Sequence, residues 1–384
     1  MDFKFTPEQR LLRDSVHELM KRHASPEYVR QLEQDQKFSY DLYDAWVEAG
    51  FIHLPFPEEY GGAGGSIVDV MIVTEEISRV STDLQMAYGS AIFCGLNILR
   101  NGSEEQKRYW IPKLQNGEIK LSISISEPDA GSDVGALRTT GQRQPDGSWK
   151  INGPKLWASG AGLKNNVICT YVKTNPTAHY REGVSLFLID NNTPGVEFRK
   201  LEMLGRRCFG TYEVFFKDVK IPEDRLIGGE NHGWHCLLSG LEIERLADSA
   251  MNIGGSQAVV DMAVEYSKER IQFGRPIGTF QSIAHMIADM QTEVEAGRAL
   301  MWRAASMMEN KENALKEVNM AKLYSAELYA KVANMGVQIM GAYGLSAEYD
   351  MQRLFRNARS ATIQAGTSQT QRNLIAGLMG LKCK

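Results

Sequence analysis

Apolar side chains recur at helical spacing through the first third of the chain. Leu11, Leu12, Val16 and Met20 lie at the intervals that put side chains on one face of an amphipathic helix. The preceding Thr6-Pro7-Glu8-Gln9 has a hydroxyl N-cap, a proline at the first helical position and a glutamine at the third, as in a capping box. Further helices are predicted over 39–47, 67–80, 81–100 and 103–117, with a glycine-rich loop over 61–65.

The hydrophobic spacing changes at residue 119. Ile119, Leu121, Ile123 and Ile125 alternate with lysine and serine, and this period of two predicts a half-buried strand over 119–126. Short β-rich runs follow, separated by turn sequences rich in proline, glycine, aspartate and asparagine. These runs cover 149–152, 167–173, 184–190, 196–199 and 212–221. Together they predict a small antiparallel β domain.

Helical spacing returns at Gly233 and continues almost to the end of the chain. The predicted segments are longer than most globular helices and therefore indicate a bundle. They cover 234–268, 280–309, 313–341 and 366–380. The fold class is thus α+β, and we expect an N-terminal helical domain over 1–118, a middle β domain over 119–228 and a C-terminal helical domain over 229–384.

Composition excludes several classes of protein. The 384 residues are 43% hydrophobic, enough for a large core, and the formal net charge of −4 argues against a nucleic-acid partner. Five cysteines form no CxxC pair, and His232 and His235 have no third ligand at a suitable spacing, so no metal site is expected. The chain has no apolar run of about 18 residues and no apolar signal stretch, which favours a cytoplasmic protein without a membrane span.

Common nucleotide-binding and catalytic motifs are missing: there is no GxGxxG after a strand, no GxxxxGK[ST], no GxSxG and no HExxH. Five other segments combine small, hydroxyl, aromatic and basic residues. They are SISEPDAGSD at 124–133, NGPKLWASGA at 152–161, KERIQFGRPI at 268–277 followed by Phe280 and Gln281, QIMGAYG at 338–344 and AGTSQ at 365–369. The first could bring backbone N–H groups close to a phosphate or a planar ligand, and the second could stack a tryptophan on an aromatic cofactor. Taken singly, the first segment is more often a structural turn, and the second fits a buried core tryptophan equally well.

In this order and at these separations, the five segments resemble those of the acyl-CoA dehydrogenase flavoprotein family. The family forms are close to TEPGAGSD, G-K-x-W-I-T, R-x-x-F-G, Q-x-x-G-G-x-G and E-G-T-x-Q, and the resemblance covers essentially the whole chain. It implies an antiparallel β-barrel as the middle domain, a four-helix-bundle-like C-terminal domain and a homotetramer. It also implies an oxidoreductase of fatty acid metabolism, with FAD bound between the β domain and the C-terminal helices and an acyl-CoA thioester passing the flavin.

The resemblance assigns the flavin ring to matching positions of the β domain. Ile125 and Ser126 are expected beside the isoalloxazine ring, with Trp157 and Ser159 on its other side. The hydroxyl of Ser159 can hydrogen-bond the ring edge.

The resemblance assigns the other end of the FAD to the C-terminal helices of a neighbouring subunit. Arg270 and Gln281 are expected at the pyrophosphate and adenine, where an arginine offers a fork of donors and a permanent charge. The site is completed by Gln338, Gly341, Ala342, Thr367, Ser368 and Gln369. The acyl-CoA channel is expected to be lined by Ser132, Glu242, Arg245 and Gly366.

One departure from the family pattern concerns the catalytic base. Many members carry it as a glutamate directly before the final Gly-Thr, where this chain has Ala365. Other members, among them isovaleryl-CoA, long-chain and prolyl-carrier-protein dehydrogenases, place it in an L-x-x-E-R segment of the helix after the β domain. Glu244, followed by Arg245, matches that position. A glutamate before an arginine on a helix is otherwise most often a solvated ion pair.

The resemblance implies α,β-dehydrogenation of an acyl thioester, with Glu244 taking the α-proton, FAD taking the hydride and an electron-transferring flavoprotein as the next acceptor. Three alternatives stay open. The same fold could work as an enoyl-CoA reductase of the crotonobetainyl-CoA reductase type. It could act on acyl or aminoacyl groups attached to a carrier protein. It could bind flavin without dehydrogenating, as a monooxygenase-like relative or a silent scaffold. The sequence does not fix the acyl chain.

Overall fold

The computed structural model describes residues 4–381, and its first part is a packed set of six helices. Their bounds are α1 Pro7–His23, α2 Pro26–Asp35, α3 Tyr40–Glu48, α4 Ile67–Val80, α5 Thr82–Asn101 and α6 Glu104–Gln115. Capping boxes form at Thr6, Ser66 and Ser103, so these local sequence signals begin the helices where they were predicted. The short helix α2 was not predicted, because it is only ten residues long and mostly polar.

Helix α5 is buried on almost every side, because α4, α6, α7 and the first β-strand all pack against it. Near its start, the carboxylate of Asp83 accepts hydrogen bonds from the backbone N–H groups of Cys208 at 2.7 Å and Phe209 at 3.1 Å. The N-terminal domain therefore holds both the long helix α7 and a loop of the β domain in place.

The middle domain is one eight-stranded sheet. The strands are β1 Lys120–Ser124, β2 Thr140–Arg143, β3 Trp149–Ser159, β4 Asn166–Lys173, β5 Val184–Asp190, β6 Val196–Lys200, β7 Thr211–Ile221 and β8 Leu226–Ile227. They follow the order β6-β7-β3-β2-β4-β5-β8, and β1 also pairs with β4. This order has two ends, so the pairings do not show the expected closed barrel.

The antiparallel arrangement predicted for this domain holds for most strand pairs but is wrong for two pairs that include β4. β1 pairs with β4 in parallel, with Ile123 opposite Cys169, and β2 meets β4 in parallel at Thr140. The physical reason is that the β2–β3 hairpin lies between β1 and β4 in the chain, so no tight turn joins them and their direction is set by packing. The predicted strand over 119–126 also ends early, at Ser124, since the carbonyl of Ser126 leaves the ladder to accept from the N–H of Leu156 at 2.8 Å.

The C-terminal domain contains three long helices packed on each other and two short ones packed on α9. They are α7 Gly233–Glu269, α8 Gln281–Glu309, α9 Leu315–Met340, α10 Met351–Ala361 and α11 Ser368–Leu378, with the hairpin β9 Ile271–Gln272 and β10 Arg275–Pro276 between α7 and α8. Helix α10 was not predicted, because its first turns are rich in polar residues. Helix α11 begins two residues later than expected, since Thr367 is its N-cap.

No helix within residues 4–381 is long and apolar enough to cross a membrane. In the same range no three His, Cys, Asp or Glu side chains are grouped as metal ligands would be. The four cysteines that the structure describes, Cys94, Cys169, Cys208 and Cys236, are free and buried, whereas Cys383 lies outside the described residues.

Candidate active site

The loop between α10 and α11 is held by its carbonyl groups. Nε of Arg245 on α7 donates to the carbonyl oxygen of Ala365 at 3.3 Å. Nζ of Lys322, a fully buried side chain on α9, donates to the carbonyl oxygens of Ala361 at 3.0 Å and Gly366 at 2.8 Å. Two long helices therefore fix the loop at the position where the family resemblance places a glutamate and this chain has an alanine.

The loop backbone adopts left-handed conformations at Ala365, with φ 50°, and Gly366, with φ 89°. A Cβ at Gly366 would lie 2.9 Å from Nε2 of Gln371, which donates to the carbonyl oxygens of both residues. Glycine is therefore required at 366 by conformation and by space.

Glu244 lies half-buried on α7. Burial raises its pKa to about 7, and the negative charge of Asp248, one helical turn further on, acts in the same direction. The cations of Arg245 and Lys322 lower the pKa and so limit the rise. A carboxyl group with a pKa near neutrality can both take up and release a proton at working pH, as a general base or acid must.

Glu242, two positions earlier on α7, is directed elsewhere. It is half-buried and interacts electrostatically with Arg100 on α5, whose Nη1 donates to the carbonyl oxygen of Ser239 at 2.8 Å. Neighbours on one helical face are three or four positions apart, so Glu242 and Glu244 do not share a face.

A buried polar chain next to Glu244 was not predicted from the sequence. Oε1 of Gln364 accepts from Nη1 of Arg206, and Nε2 of Gln364 donates to Oδ1 of Asp248. Nζ of Lys322 lies 3.9 Å from Oδ2 of Asp248. Arg206 and Gln364 are 158 positions apart, so no local pattern joins them. The one usable signal was that Asp248 follows Glu244 by four positions and shares its helical face.

In the β domain, the segments around Ile125 and Trp157 are fastened together by a buried ion pair. Nζ of Lys155 lies 2.8 Å from a carboxylate oxygen of Glu127 and donates to the carbonyl oxygen of Ile125 at 2.9 Å. Glu127 also accepts from the backbone N–H groups of Arg138 at 2.7 Å and Thr139 at 3.0 Å. Burial lowers the pKa of Lys155 to about 8, against the charge of Glu127.

Trp157 sits on a bulge of β3. The pairing of β3 with β7 shifts register between Lys155 and Ala158, and Trp157 takes a left-handed φ of 63°. Its side chain is 55% exposed. Ser159 is half-buried beside Thr211, with their hydroxyl oxygens 3.4 Å apart. An exposed indole beside polar groups is a surface on which a flat aromatic cofactor can stack.

Besides the positions around Glu244 and those around Trp157, a third group of predicted positions lies where α7 and α9 end and α8 begins. The guanidinium of Arg270 lies over the ring of Tyr343, 5.2 Å from its centre. Gln281 begins α8, Gln338 lies in the last turn of α9, and Gly341 and Ala342 directly follow that helix; all four are exposed. No hydrogen bond or ion pair within the described range joins this group to the β-domain positions or to Glu244.

The remaining predicted positions divide between these groups. Thr367, Ser368 and Gln369 begin α11, next to the loop fixed by Arg245 and Lys322. Ser132 is exposed on the loop after β1 and is not in hydrogen-bond contact with Arg245. The structure therefore brings together Arg245, Gly366 and the Glu244 helix, whereas no hydrogen bond among residues 4–381 joins Ser132 to them.

These surfaces fit an FAD in chemical terms. The β domain offers an exposed indole and a serine hydroxyl for a flat, polar-edged ring. The end of the C-terminal helices offers the Arg270 guanidinium, which has no ion-pair partner among residues 4–381, for a pyrophosphate.

Comparison with known proteins defines the class. Three family models match almost the whole chain: acyl-CoA dehydrogenase N-terminal domain over 6–118, middle domain over 122–219 and C-terminal domain over 231–379. The chain belongs to the acyl-CoA dehydrogenase family. The predicted family, the FAD-dependent oxidoreductase class and the FAD cofactor are confirmed by these matches.

Relatives and solved structures match over almost their full length. The chain is 37% identical to a glutaryl-CoA dehydrogenase of Desulfococcus multivorans, over 98% of this chain and 97% of the relative. It is 34% identical to the caffeyl-CoA reductase-Etf complex subunit CarC of Acetobacterium woodii, over 98% and 99%. The structure of butyryl-CoA dehydrogenase from Megasphaera elsdenii superposes with a TM-score of 0.95 at 28% identity, covering 99% of this chain and 100% of that one.

Proposed function

We propose that the protein is an FAD-dependent acyl-CoA dehydrogenase in which Glu244 removes the α-proton of the thioester. The observation that carries this proposal is the half-buried carboxyl of Glu244, with its pKa raised to about 7, on the helix that contacts the Ala365 loop. Ala365 has no proton acceptor, so the loop position that serves many relatives cannot act here.

The residues around Glu244 adjust its protonation. In its ionised form, Glu244 accepts the α-proton at a carboxylate oxygen. A bound acyl chain displaces water from the half-buried side chain, which favours its protonated form and so the transfer. Arg245 and Lys322 oppose the rise in the pKa of Glu244, because their positive charges stabilise the carboxylate. Both cations are tied to carbonyl groups of the 361–366 loop and keep their positions.

FAD, when bound, supplies the acceptor for the hydrogen and the electron pair that leave the β-carbon. We assign its ring to Ile125 and Ser126 on one side and to Trp157 and Ser159 on the other. We assign its pyrophosphate and adenine to the other group of positions, from a neighbouring subunit. These are Arg270, Gln281, Gln338, Gly341, Ala342, Thr367, Ser368 and Gln369.

The substrate channel is assigned to Ser132, Glu242, Arg245 and Gly366. The exposure of Ser132 suits a position at the outer part of the channel, and Gly366 belongs to the loop that Arg245 and Lys322 hold next to the Glu244 helix. Glu242, beside Arg100, is placed at the channel mouth rather than at the reacting carbon.

The assembly is proposed to be a homotetramer of three-domain chains, with boundaries at 118/119 and 228/229. Large apolar side chains are exposed next to Arg270, on the hairpin β9–β10: Phe273 is 93% and Ile271 58% exposed. Exposed apolar patches of this kind mark contact surfaces. We further propose a cytoplasmic location, a role in fatty acid metabolism and an electron-transferring flavoprotein as acceptor; the Acetobacterium woodii relative is named as part of a complex with such a protein.

A second candidate function is the reverse reaction, reduction of an enoyl thioester. The observation in its favour is that the same relative is named as a caffeyl-CoA reductase subunit. A carboxyl with a pKa of about 7 can return a proton to the α-carbon as readily as remove one. The roles of the named side chains are the same in both directions.

Anaerobic mixing separates these functions. The yellow holoenzyme is mixed with a panel of saturated acyl-CoA thioesters and with the same acyl groups on a carrier protein, and the flavin absorbance is followed. Bleaching by an acyl-CoA supports dehydrogenation of acyl-CoA. Bleaching by the carrier-bound form alone would show that the substrate is an acyl group attached to a carrier protein. Reoxidation of the reduced enzyme by enoyl-CoA faster than any bleaching would favour the reductase. Absence of both reactions would leave a flavin-binding protein of another kind and contradict the proposal.

A further inference from the structure

One edge of the Arg206 guanidinium has no hydrogen-bond partner in the range 4–381, although the residue is only 7% exposed. Nη1 donates to Gln364 and lies 2.8 Å from Sδ of Met86, whereas Nε and Nη2 are buried without a hydrogen-bond partner among residues 4–381. Nε and Nη2 together form the side of an arginine fork that can bind both oxygens of one carboxylate. Leaving two such donors buried and unused is costly, which points to a partner that binds there.

Other unpaired polar atoms surround this edge. Within the described part of the chain, Oδ2 of Asp248 and the hydroxyl of Tyr329 are buried without a hydrogen-bond partner, and both groups interact electrostatically with Arg206. Asp83 is also close enough to affect Arg206, but its two oxygens already accept backbone N–H groups. The unpaired atoms therefore line one buried polar region, and Arg206 supplies its free donors.

The region lies just beyond the proposed base. Asp248 follows Glu244 by one turn of α7, and Gln364 directly precedes Ala365 on the loop that faces this helix. One turn advances about 5.4 Å, close to the span of about four extended carbon–carbon bonds. An acyl group whose α-carbon lies at Glu244 and whose chain runs along α7 would reach Arg206 after a short chain.

The backbone at Arg206 supports a functional role. Arg206 has a left-handed φ of 58°, and its N–H donates to Oδ1 of Asn357 at 2.7 Å, which holds this conformation. Strained conformations of non-glycine residues persist where surrounding contacts enforce them, and they concentrate at ligand sites. Here the enforced conformation directs the guanidinium towards Gln364.

We propose that Arg206 sets the substrate class by binding a carboxylate at the far end of a short acyl chain, so that thioesters of dicarboxylic acids with about five or six carbons are preferred. This inference rests on the proposed function, because Glu244 defines where the α-carbon lies. Asp248 does not repel such a ligand strongly: burial raises the pKa of this carboxyl, Gln364 donates to Oδ1 and Lys322 lies beside Oδ2.

Binding to a variant that cannot turn over tests the inference without catalysis. Holoenzyme carrying Glu244→Gln is titrated calorimetrically with glutaryl-CoA and with pentanoyl-CoA, which has the same chain length but a methyl end. We expect glutaryl-CoA to bind at least about tenfold more tightly. Adding Arg206→Gln should abolish this preference and leave the Kd for pentanoyl-CoA within about threefold.

The matched control is Arg207→Gln in the same background. Arg207 is the next residue of the same loop, and among residues 4–381 its Nε donates to the carbonyl oxygen of Met203 alone, at 3.1 Å. The preference for glutaryl-CoA should survive this change. If Arg206→Gln fails to fold, the relative affinities of glutaryl-CoA and pentanoyl-CoA for the Glu244→Gln variant still test the inference.

Two results would overturn the inference while the proposed function stands. Equal affinity for the two thioesters would show that Nε and Nη2 of Arg206 bind a water molecule rather than the carboxylate of the substrate. Tighter binding of a thioester that ends in a trimethylammonium group would show that Asp248, not Arg206, sets the charge preference. If neither thioester binds to the variant and no acyl-CoA bleaches the wild-type flavin, the proposed function itself fails.

Discussion

Arg245 joins the two places where relatives carry the catalytic base. Its Nε donates to the carbonyl oxygen of Ala365 at 3.3 Å, and it directly follows Glu244 on α7. The helix position and the loop position are therefore held at a fixed distance by one side chain. In the proposed mechanism, a carboxylate in either place would face the same substrate carbon.

The pH dependence of catalysis should follow Glu244. Its pKa is raised to about 7, and only the ionised form accepts a proton, so kcat/KM for an acyl-CoA should fall about tenfold per pH unit well below that value. Steady-state assays with an artificial electron acceptor between pH 5 and 9 measure this profile. An activity that stays constant down to pH 5 would contradict a base with a raised pKa.

The folding stability of the FAD-free protein should decrease as the pH rises, whereas kcat/KM increases. The pKa of Glu244 rises from 4.5 to about 7 on folding, so the folded state binds more protons between these values and loses stability as the pH rises through them. Glu244→Gln should therefore raise the free energy of unfolding by about 1–3 kcal/mol at pH 8 and leave it nearly unchanged at pH 4. Urea denaturation of both proteins at the two pH values checks the sign.

The Glu127–Lys155 pair should be essential for the cofactor surface. Glu127→Gln leaves the fully buried cation of Lys155 without a counter-charge, which should cost about 3–5 kcal/mol of folding stability. The double variant Glu127→Met, Lys155→Met should recover part of that loss, since no buried charge is left but the N–H groups of Arg138 and Thr139 lose their acceptor. Denaturation curves of the single and double variants measure both effects. A single variant as stable as wild type would show that the pair is not buried in solution.

FAD affinity should depend on Arg270. Wild-type protein should be yellow with one FAD per chain, and Arg270→Ala should weaken FAD binding by about 2–5 kcal/mol, because the pyrophosphate loses its charged partner. Arg275→Ala is the control, since that guanidinium lies over Phe280, 4.2 Å from the ring centre, and has no assigned ligand. Fluorescence titration of apoprotein with FAD measures the difference. Equal FAD affinities of wild type and Arg270→Ala would show that Arg270 does not contact the cofactor.

The assembly should depend on the hairpin beside Arg270. Phe273, 93% exposed in one chain, should be covered in the tetramer, so Phe273→Ser should shift sedimentation equilibrium towards smaller species and weaken FAD retention together. Leu11→Ser, which changes a 69% exposed residue on α1, should do neither. A stable wild-type monomer with FAD fully bound would contradict the proposed completion of the site by a neighbour.

Local signals made much of the fold predictable. Capping at Thr6, Ser66 and Ser103 lies within a few residues of each helix start, so the sequence carries it directly. The direction of β1 depends instead on its contact with β4, about 45 positions away, and no local spacing records that. The early end of β1 at Ser124 likewise depends on Leu156.

The site was predictable only where motifs are continuous. Glu244-Arg245 and Ala365-Gly366-Thr367 are short runs that can be recognised in isolation. Arg206 and Gln364 are brought together only by tertiary folding, and an arginine in a loop carries no sign that it will be buried. Their role in choosing the substrate could therefore be inferred only from the unpaired atoms of the folded chain.

The most direct test of the account is the reduction of bound FAD by acyl-CoA in Glu244→Gln, followed by anaerobic stopped-flow absorbance. The change removes the ionisable group with little change of shape, so FAD content and assembly should match wild type. The matched control, Glu242→Gln, should reduce its flavin at close to the wild-type rate, because that side chain lies on another face beside Arg100. We predict that flavin reduction in Glu244→Gln slows by at least ~10²–10⁴-fold. Flavin bleaching at the wild-type rate in Glu244→Gln would show that another residue is the base.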